Sequence, residues 1–96
     1  MKKLIAEEYK QFEAIKQIRE DGSEFWGARE LAIAIDYTQW RNFTGVIKRA
    51  MIACENSGHD IFHDFAEVSK IVEAGATNKP IKDYELSRYA CYLIVQ

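Results

Sequence analysis

Apolar residues recur at helical spacing over residues 39–54, the most regular segment of the chain. They are Trp40, Phe43, Ile47, Ala50, Met51 and Cys54. With about 3.6 residues per helical turn, all six lie on one face of a helix. The pattern therefore predicts an amphipathic helix over residues 39–54, with this face in the core of the domain.

Two helices and a hairpin are also predicted around this segment. Apolar residues near helical spacing indicate a first helix over residues 3–14. Asp21 and Gly22, a pair typical of tight hairpin turns, then join two short strands. The segment that begins at Ala28 has an apolar helical face and ends at Asp36, where a short turn leads into the long helix.

A second hairpin and a last helix complete the pattern. Gly58 is placed to end the long helix in a left-handed conformation. Residues 68–74 and 80–86 are predicted to form the second hairpin, and Ser87 to cap a final helix made by the apolar run that follows. The order helix, hairpin, two helices, hairpin, helix predicts an α+β domain with four helices and two short β-hairpins.

Length and composition limit the class of protein. The chain has 96 residues, of which 48% are hydrophobic and 29% charged, and its net charge is −2. This length suits one domain with a single core. The charge balance gives no strongly basic footprint, so an anion-binding surface must arise from local segregation of charge. No apolar run reaches the roughly 18 residues that a membrane helix requires, which predicts a cytoplasmic protein without membrane contact.

Charge is segregated on the long helix. Acidic residues are absent between Asp36 and Glu55, whereas Arg41, Lys48 and Arg49 lie there. On the predicted helix, Arg41 and Lys48 point in nearly the same direction, away from the apolar face. A basic face preceded by a short helix and a turn resembles a helix-turn-helix, in which cations neutralise phosphates and an amide can read a base edge. The candidate nucleic-acid-binding residues are Thr38, Gln39, Arg41, Asn42, Lys48, Arg49 and Arg88.

A solvated helix face that lacks acids by chance would give the same pattern. Three cations neutralise few phosphates, so binding would be weak and salt-sensitive unless a dimer doubled their number. Lys79, Lys82 and Arg88 would add to the surface only if the second hairpin lay beside the helix. On these residues alone DNA is one candidate partner, and the pattern is also compatible with a homodimer.

Cysteine and histidine residues suggest a metal-binding alternative. Cys54, His59, His63 and the distant Cys91 have the residue types of a zinc site, but the paired C-x2-C spacing is missing. Cys54 also lies on the apolar face of the predicted helix. Two buried thiols and two loop histidines fit better, and no catalytic motif is present. We therefore expect no cofactor, no metal site and no enzymatic activity.

Much of the chain is similar to a known family. The similarity spans residues 12–96, and its motifs include Trp26-x-Ala28-Arg29-x-Leu31, Tyr37-x-x-Trp40-x-Asn42-Phe43, Ser57-Gly58 and Leu86-Ser87-Arg88-Tyr89-Ala90-Cys91. On these residues the chain closely resembles the N-terminal part of the bacterial DNA-damage-inducible protein D family and, more distantly, the BRO-N domain of phage antirepressors. Family members usually carry Gly where this chain has Asp36, which tolerates the left-handed conformation better than most residues.

The resemblance implies a BRO-N-like α+β fold, a link to the bacterial DNA-damage response and a DNA-associated role without a known catalytic site. The alternative is an interaction domain that regulates a repair, recombination or repressor protein without binding DNA itself. In the family a long region follows the final motif, so we expect residues 1–96 to be one domain at the start of a longer protein. Tyr89, Tyr92, Leu93 and Val95 are then expected to pack into the core or across a dimer contact.

Overall fold

The computed structural model describes residues 6–95, which form five helices and four strands. The helices are α1 (Ala6–Ala14), α2 (Ala28–Ala34), α3 (Trp40–Asn56), α4 (Ile61–Asp64) and α5 (Arg88–Val95). The strands are β1 (Gln17–Ile18), β2 (Glu24–Gly27), β3 (Phe65–Ala74) and β4 (Thr77–Leu86). The predicted α+β class is confirmed, and the BRO-N-like assignment stays a prediction. None of these helices is long and apolar enough to cross a membrane.

The four strands form one antiparallel sheet in the order β1-β2-β4-β3. β3 and β4 pair along their whole length around a turn at Gly75. β2 joins β4 through only two residue pairs, Trp26 with Leu86 and Gly27 with Glu85. The two predicted hairpins are therefore parts of a single sheet. Residues 69–80, the outer part of the β3–β4 hairpin, are largely exposed, and we call them the arm.

α2 and α3 end in the same kind of turn. In α2, the N–H of Tyr37 donates to the carbonyl of Ala32 at 2.8 Å, and the N–H of Asp36 donates to that of Ile33 at 3.2 Å. Asp36 has a φ of 66°, and Gly58 has a φ of 83° after α3. This pattern is the Schellman motif, which satisfies the last carbonyls of a helix. The left-handed turns predicted at both positions are confirmed.

The core lies between the helices and the sheet. Its largest fully buried apolar side chains are Trp26, Phe12, Phe43, Leu31, Ile35, Ile47 and Leu86. The indole N–H of Trp26 donates to the carbonyl of Phe12 at 2.8 Å, and the two rings stack with their centroids 4.4 Å apart. Phe43 and Ile47 confirm the predicted burial of the apolar face of α3. That face fixes which side of α3 is turned toward solvent.

The sequence pattern missed one helix and shortened the second hairpin. α4 is a single turn, capped by the side chain of Asp60, which accepts a hydrogen bond from the N–H of Phe62 at 2.9 Å. Four residues are too few to give a periodic signal. The strands predicted over 68–74 and 80–86 are each longer, because backbone pairing continues through polar residues. Part of the first predicted helix, residues 3–5, lies outside the described residues.

The packing predicted for α5 is confirmed for three of four residues. Ser87 caps it as predicted, since its hydroxyl accepts a hydrogen bond from the N–H of Ala90 at 3.0 Å. The buried residues are Ala90, Cys91 and Ile94. Of the four residues expected to pack, Tyr89, Leu93 and Val95 are partly buried against the core, whereas Tyr92 is 45% exposed. An apolar run that covers every side of a helix does not reveal which side will face the core.

Candidate nucleic-acid interface

Six of the seven candidate residues lie on the outer side of α3 or in the turn before it. All six are exposed: Thr38, Gln39, Arg41, Asn42, Lys48 and Arg49. We refer to them as the basic face. Because the opposite side of α3 is buried in the core, the basic face is directed to solvent. From Arg41 to Arg49 this surface extends about 12 Å along the axis of α3.

The three cations of the basic face have no carboxylate partner among residues 6–95. Several cations elsewhere do have carboxylate partners. The ammonium of Lys70 lies 3.2 Å from the carboxylate of Asp83, and that of Lys82 lies 3.3 Å from Glu67. Exposed charges without a partner leave a positive potential that an external anion can use.

The start of α3 adds to this potential. Gln39 precedes the helix without a side-chain cap, and its carbonyl accepts hydrogen bonds from the N–H groups of Asn42 and Phe43, both at 3.1 Å. The first turn contains no acidic residue. The partial positive charge of the helix N-terminus is therefore not offset by a carboxylate of that turn.

Arg29 connects the start of α3 to the sheet. Its guanidinium lies over the ring of Trp40, 4.1 Å from the centroid, and its Nε donates to the carbonyl of Lys82 at 2.8 Å. Its backbone N–H donates to the buried carboxylate of Asp83 at 3.1 Å. The spacing of residues gave no sign of this role, because both partners in β4 are more than 50 positions away. Through Arg29 the position of the basic face is coupled to the base of the arm.

Lys82, at the base of the arm, lies beside α2 but adds no unpaired positive charge there. Hydrogen bonding to Tyr84 and to Glu67 raises the pKa of Lys82, which keeps its charge but engages it locally. Lys79 is exposed in the outer part of the arm. The sequence left open whether the second hairpin lies beside α3. Lys82 does approach the start of α3 through Arg29, but the ammonium of Lys82 is already paired with Glu67.

Arg88, the seventh candidate, is not part of the basic face. Its guanidinium donates to both carboxylate oxygens of Glu24, at 2.7 and 3.0 Å, and to Glu13 at 3.2 Å. It also lies 5.0 Å from the ring centroid of Trp26. These hydrogen bonds raise the pKa of Arg88 and lower that of Glu24. Arg88 joins α5 to β2 and α1 through these hydrogen bonds. Because its guanidinium is already paired with carboxylates, its predicted contact with nucleic acid loses support.

Cys54, His59 and His63 lie around the buried carboxylate of Asp64. The Sγ of Cys54 lies 3.6 Å from Asp64, and the Nδ1 atoms of His59 and His63 lie 3.8 and 3.7 Å from it. Among residues 6–95, no cluster of three or more His, Cys, Asp or Glu side chains has the arrangement of a metal site. Both cysteines are buried and unpaired, and burial raises the pKa of each thiol. Cys91 therefore has the properties of a core residue rather than a nucleophile.

Fold and surface together define a small α+β domain with an exposed basic helix. The chain is 47% identical over 91 residues to the DNA damage-inducible protein D of Escherichia coli strain K12, a match that covers 94% of this chain and 33% of the relative. Over this region, the chain belongs to the DNA damage-inducible protein D family. It spans about one third of the length of that relative. No family model matches the chain, and no solved structure matches it significantly.

Proposed function

We propose that this chain is a non-catalytic domain of the DNA-damage response that binds DNA through the basic face. The observation that carries the proposal is that Arg41, Lys48 and Arg49 are all exposed and unpaired within residues 6–95, on a helix side that also presents Asn42. Membership of the DNA damage-inducible protein D family supports the link to DNA damage. No cofactor is required for this function.

α2 and α3 are proposed to act as a helix-turn-helix pair, with α3 in the major groove. In such pairs, residues near the start of the second helix contact base edges. Asn42 occupies this position, and an Asn amide can bond to adenine at two points. Arg41, Lys48 and Arg49 would contact backbone phosphates and so fix the register of the helix on the duplex.

Fluorescence anisotropy with a labelled duplex and a labelled single strand, repeated from low to moderate salt, tests this proposal. Three phosphate contacts predict a slope of about −3 in the logarithm of affinity against that of salt concentration. Arg41→Ala is expected to weaken binding and to reduce the slope by about one unit. Affinity that does not depend on salt would contradict DNA binding by the basic face.

Lys10→Ala is the matched control, because it removes the same charge from an exposed position on α1. Lys10 has no carboxylate partner among the described residues, so its loss should leave the fold intact. We expect the affinity of this variant for DNA to stay within about twofold of that of the unmodified chain, since Lys10 lies on α1 and is not part of the basic face. Equal losses of DNA affinity in Arg41→Ala and Lys10→Ala would show that binding depends only on the net charge of the chain.

The alternative is an interaction domain that regulates a repair, recombination or repressor protein. It is favoured by apolar side chains on the surface, since Ile52 is 61% exposed and Phe62 80% exposed. Large exposed apolar groups on a small domain often mark a contact with another protein. This alternative predicts retention of a protein partner by a chain without salt-dependent affinity for DNA.

A further inference from the structure

α3 carries a second surface beside its arginines. A shallow groove of about 340 Å³ is lined by Lys48, Met51, Ile52, Glu55 and Ile61. Ile52 is 61% exposed there, although isoleucine is among the residues most often buried. Most of the lining is apolar, which distinguishes the groove from the part of α3 around Arg41. A partner that covered Ile52 would remove apolar surface from water.

Charges of opposite sign flank this apolar centre. Lys48 and Glu55 are two helical turns apart, so they lie on the same side of α3, about 10 Å from each other along its axis. Ile52 lies between them. Within residues 6–95, neither charged side chain forms an ion pair. The order along the helix is therefore cation, apolar residue, anion.

We propose that this groove binds a second copy of the chain, with the two α3 helices antiparallel about a two-fold axis near Ile52. In a two-fold interface each surface patch meets itself, so a patch must be complementary to its own copy rotated by 180°. This rotation places Lys48 opposite Glu55 of the second copy, and Glu55 opposite Lys48 of that copy. Ile52 then packs on Ile52 and Met51 of the second copy at the centre.

The charge pattern favours this occupant over two others. DNA in this groove would match Lys48 but be repelled by Glu55 at its other end. An acidic protein segment would match Lys48 but meet the same repulsion. Only an occupant that presents an anion opposite Lys48 and a cation opposite Glu55 satisfies both ends, and an antiparallel second α3 has this order. The inference does not depend on DNA binding by the chain, but Lys48 cannot contact a phosphate and Glu55 of the second copy at once. Arg41 and Arg49 do not line the groove and stay available to DNA in the dimer.

Sedimentation equilibrium without DNA, over a range of protein concentrations, tests the proposal. The chain is expected to show a reversible monomer–dimer equilibrium. Lys48→Glu and Glu55→Lys should each weaken the dimer about tenfold or more, because each places like charges together at both ends of the contact. The double variant Lys48→Glu with Glu55→Lys should recover most of the affinity, since it restores opposite charges with inverted sign.

Ile52→Asp and Ile33→Asp provide the matched test of the apolar centre. Ile33 is 76% exposed on α2, outside the groove, so its replacement controls for the loss of an exposed isoleucine. Ile52→Asp should abolish the dimer, and Ile33→Asp should leave it unchanged. Far-ultraviolet circular dichroism should confirm that both variants are folded.

Three outcomes would overturn the proposal. They are a chain that is monomeric at every concentration, a dimer that the single charge reversals leave unchanged, and a double variant that is no tighter than either single variant. Retention of a different protein by a strictly monomeric chain would also count against it. Because none of these measurements contains DNA, their failure is separable from failure of the proposed DNA binding.

Discussion

The basic face and the cluster around Arg88 use the same residue type in opposite ways. Arg88 donates to Glu24 and Glu13 and joins α5 to two other elements. Arg41 and Arg49 are exposed and have no carboxylate partner in the described part of the chain. Charge alone therefore does not mark a binding residue. Tertiary pairing separates the arginine that holds the domain together from those that remain available to a partner.

The largest expected effect is on stability, at Arg88. Arg88→Ala should lower the free energy of unfolding by about 1.5–3 kcal/mol, because it removes charge-assisted hydrogen bonds and leaves Glu13 and Glu24 with only the ammonium of Lys16, at 3.4 and 4.0 Å. Arg41→Ala should change it by less than about 0.5 kcal/mol, as expected for an exposed residue without contacts. Urea denaturation followed by circular dichroism measures both.

Arg88→Met separates packing from charge at this site. It keeps an unbranched apolar chain near the ring of Trp26 but removes every hydrogen bond to Glu24 and Glu13. If charge pairing dominates, this variant should be nearly as unstable as Arg88→Ala. Equal stability of the unmodified chain, Arg88→Ala and Arg88→Met would contradict a structural role for the pairing.

The second effect depends on pH. The hydrogen bonds from Arg88 lower the pKa of Glu24 from its ordinary value of 4.5. The unfolded chain then binds a proton at higher pH than the folded chain, so the contribution of the pair is complete above that ordinary value. It is lost as the pH falls toward the lowered pKa. Unmodified chain and Glu24→Gln should therefore differ most in stability near neutral pH and converge in acid.

Urea unfolding at a series of pH values from neutral to acid measures this convergence. Lys10→Ala is a suitable control, because it changes an exposed charge that is not part of the cluster. Its stability should follow that of the unmodified chain at every pH. A constant gap between the unmodified chain and Glu24→Gln would show that ionisation of Glu24 is not the cause.

Local features of the fold could be predicted from the sequence, whereas long-range pairing could not. The apolar spacing in α3 and the turn residues Asp36 and Gly58 act within a few positions, and these predictions are confirmed. The two hairpins join into one sheet because β2 pairs with β4, and these two strands lie far apart in the sequence. No local pattern encodes that contact.

The same limit applies to the candidate site. The acid-free stretch of α3 placed six of seven candidate residues on or beside one exposed helix side, because helical geometry alone relates them. Arg88 was added on charge alone, and its partner Glu24 lies 64 positions earlier in the chain. Arg29 was not chosen, since its stacking on Trp40 depends on how α2 meets α3. The role of the basic face in DNA binding stays a prediction.

The smallest expected effect is at Asp36, the last acid before the basic face. Its φ of 66° costs an L-residue about 1 kcal/mol. Asp36→Gly removes this cost but also gives the unfolded chain more freedom, worth about 0.4–1 kcal/mol. Stability should therefore change by less than about 1 kcal/mol, as measured by urea denaturation. Asp36→Val should be clearly destabilising, because a β-branched residue is strongly disfavoured at this φ.

Asp36→Gly also removes one negative charge near the start of α3. A unit charge about 10 Å from a phosphate in water contributes about 0.4 kcal/mol, so affinity for DNA should rise about twofold at low salt. This gain should disappear at high salt, where such distances are screened. Asp36→Asn removes the same charge while keeping a residue that tolerates positive φ, and it should give the same gain. If neither variant binds DNA more tightly, the DNA does not pass near the start of α3. The lack of a carboxylate partner, which separates Arg41 from Arg88, would then no longer identify a binding surface.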